Sequence, residues 1–312
     1  MTLFRRLSVA SLAATFALVG IGGLVRATKS GLGCGTDWPH CNGALAPILE
    51  DRAVAIEFSH RLAAALVVML LAALAVLAVR YQRHAPHIRR ASIAAFGLVI
   101  FQAVLGAVVV KLELDASSVV LHLATAMSLI AVLTYVVVAT YAQQGRLRIE
   151  PNEGLSRTSA WVGGAVLALL LVGSYVSSFP DRPPRWPLIN GRLIPDLANQ
   201  VLTVHWIHRG LAAIVGIVLI VLVFSLRRRK HELQVAARLA HVALGLFALE
   251  VLIGAANVWT DLNAGIVTLH LLSGAMIWGA VVAIAMVTRP ALAPVAETPQ
   301  RRAHAEVALE GN

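Results

Sequence analysis

Eight long apolar runs decide what this chain can become. They lie near 8–26, 56–80, 91–111, 117–142, 158–178, 200–226, 235–259 and 264–288. A helix needs roughly 20 apolar residues to cross about 30 Å of hydrocarbon, and a lipid-embedded backbone must satisfy its own hydrogen bonds. The runs therefore predict an all-α polytopic membrane protein with eight transmembrane helices. Composition agrees: 58% of the 312 residues are hydrophobic and 13% charged, with a mean hydropathy of +0.78. A formal charge of +10 would suggest nucleic acid in a soluble protein. Here the basic residues sit in short loops between apolar runs, where they set topology, so nucleic acid is excluded and the bilayer is the expected environment.

Arg83, Arg89 and Arg90, then Arg146, Arg148 and Arg157, then Arg227, Arg228, Arg229 and Lys230 precede the third, fifth and seventh runs. They mark the cytoplasmic side, which puts both termini inside and the 27–55 and 179–199 loops outside. Arg182, Arg185 and Arg192 in the second outer loop weaken this rule without reversing it. Arg5 and Arg6 ahead of the first run resemble a signal peptide, but no clear small-x-small cleavage site follows Gly22 and Gly23, so the run reads as an uncleaved helix.

The chain also repeats itself. An offset of 148 residues lays His60 on His208, Arg61 on Arg209, Gly106 on Gly254 and His122 on His270 without a gap. The expected division is a four-helix bundle over 1–145, a cytoplasmic linker over 146–157, a second bundle over 158–290 and a disordered cytoplasmic tail over 291–312. Four helices per copy is an even number, so the copies enter the membrane in the same sense as parallel repeats. That counts against an alternating-access transporter built on inverted repeats.

By this topology His60, His122, His208 and His270 share one depth toward the outer face. Each bundle then offers two imidazoles across its core, as bundles do when they build cofactor sites. Zinc normally takes three or four protein ligands. Heme iron draws four nitrogens from the porphyrin and needs only axial partners, so two histidines suit heme. The bland alternative is a set of interfacial polar residues, but ionisable groups inside a membrane are costly and usually functional. Arg26, Arg61 and Arg209 lie on the same side and are candidate partners for heme propionates; snorkelling anchors are the alternative.

The copies differ at three places. Glu57 stands where the second copy has His205, Gln102 stands where it has Glu250, and Cys34 and Cys41 have no cysteine counterpart. Glu57 lies one turn from His60, so it is the candidate for moving protons or stabilising developing charge. A helix N-terminal charge facing the macrodipole is the bland reading. His205 and Glu250 receive no role. Cys34 and Cys41 belong to a loop expected in an oxidising compartment, where a bridge is expected. It is either a staple for a glycine-rich loop or a thiol pair that passes electrons or links transiently to substrate.

The run Gly22-Gly23-Leu24-Val25-Arg26-Ala27-Thr28-Lys29-Ser30-Gly31-Leu32-Gly33-Cys34, with Asp37-Trp38-Pro39 and Cys41-Asn42-Gly43, resembles the heme A synthase (CtaA) family. So do Glu57-x-x-His60-Arg61, His122, His208-Arg209 and His270, and the resemblance spans all eight runs. It implies oxidation of the C8 methyl of heme O to the formyl group of heme A for aa3-type cytochrome oxidases. It further implies heme O as substrate between His60 and His122, heme B as cofactor between His208 and His270, Glu57 as the catalytic carboxylate, and Cys34 and Cys41 as the cysteine pair of bacterial members. The implied location is a bacterial cell membrane, with the heme O-producing farnesyltransferase as partner. The electron donor, the source of oxygen and self-association stay open. A diheme b-type electron-transfer cytochrome and a heme carrier or chaperone are the competing functions.

Overall fold

The computed structural model describes residues 2–45, 47–179, 183–229 and 231–293. Among them are eight helices long and apolar enough to cross a membrane, and no strand. They are α1 (Thr2–Ala27), α2 (Arg52–Tyr81), α3 (Pro86–Lys111), α4 (Ala116–Gln143), α5 (Glu153–Val176), α6 (Gln200–Arg227), α7 (Gln234–Trp259) and α8 (Ala264–Val287). The protein is thus a multi-pass, all-helical membrane protein.

Several helices begin before the apolar run does. α2 starts at Arg52 because the Asp51 side chain accepts the N–H groups of Ala53 and Val54. α5 starts at Glu153, where Asn152 accepts from Leu155, and α3 starts with Pro86 in its first turn. Hydropathy marks where a helix meets hydrocarbon, whereas side-chain caps and proline fix where it begins. The connection between α4 and α5 is correspondingly shorter than 146–157 and is pinned by Glu150. Its two carboxylate oxygens accept the N–H groups of Val235 and Ala236 at 2.8 and 3.0 Å, capping α7.

Helix α1 packs on α2, α2 on α3, α3 on α4, and α4 returns to α1; α5, α6, α7 and α8 close a second ring in the same way. The rings meet through α1, α4, α5 and α8. Small residues allow the close approach that membrane helices need: at Gly163 a Cβ would stand 3.2 Å from the Trp278 ring. Trp278 also donates its indole N–H to the Met127 carbonyl at 2.9 Å, joining α8 to α4.

The packed core lies in one half of the helices. In the first ring it is built from Phe4, Val67, Leu71, Leu74, Ile88, Val99, Leu129 and Leu133; Val215, Leu219, Phe247, Ile277 and Val281 belong to a larger cluster shared by both rings. The histidines lie outside this half. On α2, α4 and α6 nearly all fully buried positions come after the histidine, from Val67, Met127 and Val215 onward, with Val54, Glu57 and Ser118 as exceptions.

Two expectations meet the edge of what is described. Residues 294–312 of the proposed tail, and Arg182 and Lys230 of the loops, lie outside the described residues. Pro290–Leu292, which lead into the tail, form a 3-10 turn, so its first described residues are ordered. Leu292 and Ala293 pack there against the cluster of Val138, Ile149 and Val287, because apolar side chains continue past the helix end.

Candidate heme-binding histidine pairs

Each histidine rests against a glycine of the preceding helix. A Cβ on Gly22 of α1 would stand 3.2 Å from His60 Cε1, and one on Gly106 of α3 would stand 3.3 Å from His122 Cε1. In the second ring the distances are 2.9 Å from Gly173 to His208 and 3.1 Å from Gly254 to His270. The absence of a side chain at these four positions is what admits the rings. Gly22 and Gly173 escape the 148-residue comparison, because the stretch between seat and histidine is shorter in the second copy. The usable signal is at least one glycine in the C-terminal half of every odd-numbered helix.

The four rings share an unusual polar state. Nδ1 of His60, His122, His208 and His270 is buried and makes no hydrogen bond, although a carboxylate oxygen of Glu250 stands 3.0 Å from that of His270; none of the four Nε2 atoms is buried in that way. Nδ1 is enclosed by protein in all four rings, so Nε2 is the nitrogen left open toward a ligand. The His208 and His270 ring centroids are 6.4 Å apart with planes at 75°. With metal–imidazole bonds of roughly 2 Å, two rings on opposite sides of one metal atom stand about 6 Å apart. His60 and His122 make no comparable ring–ring approach among the described residues.

No group of three or more His, Cys, Asp or Glu residues that could hold a metal occurs among the described residues. A donor set of two imidazoles fits a metal that brings its equatorial ligands with it, as heme iron does. His208 and His270, by their separation, are the pair that fits such a group; His60 and His122 offer the same donor type in the first ring.

Glu57 is 3% exposed and belongs to the α1–α2 loop as much as to α2. Its Oε2 accepts the Cys34 N–H at 2.8 Å, and its Oε1 pairs with Arg61 at 2.6 Å. Arg61 donates onward to the carbonyls of Asp37 and His40 at 3.1 and 2.7 Å. Cys34 and Cys41 form a disulfide, and both are buried with Val54 and Phe58. Glu57, Arg61, Cys34 and Cys41 thus make one connected unit over the outer end of α2. His205, at the matching place in α6, has no hydrogen bond among the described residues and is half-buried.

The second outer loop copies the first, a relation the helix comparison passes over. Trp38-Pro39 and Trp186-Pro187 both carry cis bonds, and Asn42-Gly43 and Asn190-Gly191 both turn through positive φ. Paired positive φ values are what an Asn-Gly hairpin turn requires, and each turn is closed by a bridge, Cys41 to Ala44 and Ile189 to Arg192. Buried Ile189 therefore occupies the place of Cys41. Arg209 repeats the work of Arg61, donating to the carbonyls of Pro184, Arg185 and Pro187 at 2.7, 2.9 and 3.4 Å. Arg26 reaches Ser177 and Ser178 at the end of α5, at 3.3 and 3.2 Å. All three arginines hold loops or helix ends together on the histidine side.

Glu250, left without a role by the sequence, lies beside the second pair. Its Oε1 is 3.0 Å from His270 Nδ1, and its Oε2 accepts from the Ser273 hydroxyl. In the first ring Gln102 turns to the backbone instead. It donates to the His122 carbonyl at 2.8 Å and accepts from the Thr125 hydroxyl.

Comparison with known proteins adds an independent line. The family model COX15-CtaA, described as a cytochrome oxidase assembly protein, matches residues 5–282. A protein of Symbiobacterium thermophilum named heme A synthase is 31% identical over 305 residues, covering 93% of this chain and 97% of its own. One of the same name from Alkalihalophilus pseudofirmus is 30% identical over 277 residues, covering 86% and 92%.

Proposed function

The chain belongs to the COX15-CtaA family of cytochrome oxidase assembly proteins, and from that premise we propose that it is a heme A synthase. In this reading it oxidises the C8 methyl of heme O to a formyl group. Each of two successive hydroxylations replaces a methyl hydrogen by hydroxyl, with the oxygen atom taken from an external oxidant that accepts the two electrons removed, and the gem-diol then loses one water to leave the formyl group. The observation that carries the reading is the double set of glycine-seated histidines, each with its Nδ1 buried and its Nε2 left open.

In the first ring His60 and His122 hold the substrate heme. Among the described residues of that ring, Glu57 alone pairs a buried carboxylate with the histidine end, and its counterpart His205 carries no acid. Arg61 and the Cys34 N–H keep the Glu57 carboxylate fixed, which suits a group that must hold or accept a proton at a set position. Arg61 clamps the disulfide loop over that end through the carbonyls of Asp37 and His40. In the second ring His208 and His270 hold heme B, which when bound supplies electron transfer. Arg26, Arg61 and Arg209 lie on the histidine side and would hold the propionates of a bound heme. The histidine side is extracytoplasmic in a bacterial cell membrane, and the farnesyltransferase that makes heme O is the partner that hands over substrate.

Pigment extraction and mass spectrometry from heme O-producing cells with and without this chain tests the reaction. Heme A appearing only with the chain is the expected result. Unconverted heme O alongside a fully expressed, heme-loaded protein would leave an electron-transfer cytochrome or a heme carrier in its place.

A further inference from the structure

The two rings are built alike down to their caps, yet the residue beside the second histidine of each pair differs in charge. Glu250 and Gln102 occupy equivalent places on α7 and α3, and Ser273 and Thr125 occupy equivalent places on α8 and α4. Each acceptor oxygen meets the hydroxyl from the neighbouring helix. The remaining polar atom then does different things. Gln102 Nε2 donates to the backbone carbonyl of His122 and leaves its ring alone. Glu250 Oε1 comes to 3.0 Å from Nδ1 of the His270 ring. Side-chain exposure there is 14% for Glu250 and 29% for His270. A Cβ on Gly274 would stand 3.2 Å from the same oxygen, so the carboxylate lies close against α8.

We infer that Glu250 is a positioning residue for the second pair, whose carboxylate orients the His270 imidazole and lowers the reduction potential of the metal group that His208 and His270 hold. This rests on the reading of those histidines as axial ligands. An acceptor at the non-ligating nitrogen fixes which nitrogen faces the metal and makes the imidazole the stronger donor. A stronger donor and a nearby negative charge both favour the oxidised metal. Ser273 acts through Glu250 by holding the other carboxylate oxygen. In the first ring the amide at the same place puts no charge beside His122. The asymmetry between the bundles therefore includes the electronic character of the ligand, beyond the presence of Glu57.

The full-length protein purified in detergent, with optical and EPR spectra and a potentiometric titration, tests this. Glu250→Gln is expected to keep the low-spin bis-histidine signature while the midpoint of one heme moves upward. Glu250→Asp, which keeps the charge, should recover part of that shift, and Ser273→Ala should give a smaller shift in the same direction. An unmoved midpoint in Glu250→Gln with the spectrum intact overturns the proposal. Should Glu250→Gln purify without that heme, Ser273→Ala decides alone: a higher midpoint supports the proposal, and an unmoved one overturns it. Failure of the underlying reading looks different, because the wild-type protein would then show no bis-histidine heme that disappears in His270→Ala.

Discussion

Glu57 Oε2 and the Cys34 N–H are joined at 2.8 Å across 23 positions of chain, which ties the candidate catalytic carboxylate directly to the disulfide loop. Glu57→Ala removes that acceptor and leaves Arg61, with its side chain 14% exposed, without its ion-pair partner. Breaking such a pair from one side is expected to cost about 3 kcal/mol. Glu57→Gln keeps an acceptor for Cys34 but no charge. Both variants should lower heme O conversion in cells, by about 100-fold if the carboxylate handles a proton, while only the alanine variant lowers the thermal midpoint strongly.

The histidine pairs predict separable losses. His208→Ala or His270→Ala should remove the low-spin heme of the second ring. His60→Ala or His122→Ala should leave that signal and abolish conversion of heme O. Absorbance spectra and extracted pigments of the four purified variants distinguish the two pairs. Equal loss of all heme from every variant would contradict the assignment.

Gly173 and Gly164 make a matched comparison within α5. A Cβ at 173 meets His208 Cε1 at 2.9 Å, whereas one at 164 meets nothing within 4 Å. Gly164→Ala is expected to be neutral or stabilising by up to about 1 kcal/mol, the usual helix preference for alanine over glycine. Gly173→Ala must shift the ring and should weaken heme retention, measured as heme per protein after purification.

Arg209 holds three carbonyls of the second outer loop. Removing these charge-assisted hydrogen bonds by Arg209→Leu should destabilise the loop locally by about 2 kcal/mol. Hydrogen exchange over residues 183–199 should rise while α6 stays protected. A propionate role for Arg209 would add a change in heme potential to that signature.

Asp115 caps α4 through the N–H groups of Ser117 and Ser118. The Ser117 hydroxyl first, and then the Ser118 N–H, hold its carboxyl below its ordinary value of 3.8. A carboxyl depressed in the folded state contributes fully above its ordinary pKa, and that contribution disappears as pH falls through the lowered value. Asn263 does the same job on α8 without a charge. Asp115→Asn should therefore remove this acid dependence, read as thermal midpoints across roughly pH 5 to 2.

The helices are legible in the sequence because a 20-residue apolar run has few alternatives to crossing a bilayer. Their first turns are not, because Asp51 and Asn152 cap segments that hydropathy reads as loop. The four histidines stand out through a single offset. The loop echo of Trp38-Pro39 in Trp186-Pro187 obeys the same offset, yet it hides behind the absence of cysteine in the second copy. Gly173 is missed for a different reason, since a shorter loop shifts its register. Glu250 is visible as a difference between the copies, but its meaning depends on the packing of α7 against α8, which brings it to a ring 20 positions away. The engagement of Arg61 by Glu57 and by two loop carbonyls is likewise a property of the folded loop.

The indole of Trp278 bonded to the Met127 carbonyl joins the two helices that carry His270 and His122. α4 and α8 are also the most buried of the eight spans. For two redox sites on these helices, separation is then a fixed tunnelling length, set by packing and not by encounter. Electron passage between them needs no docking event, and its rate should be indifferent to the fluidity of the surrounding lipid.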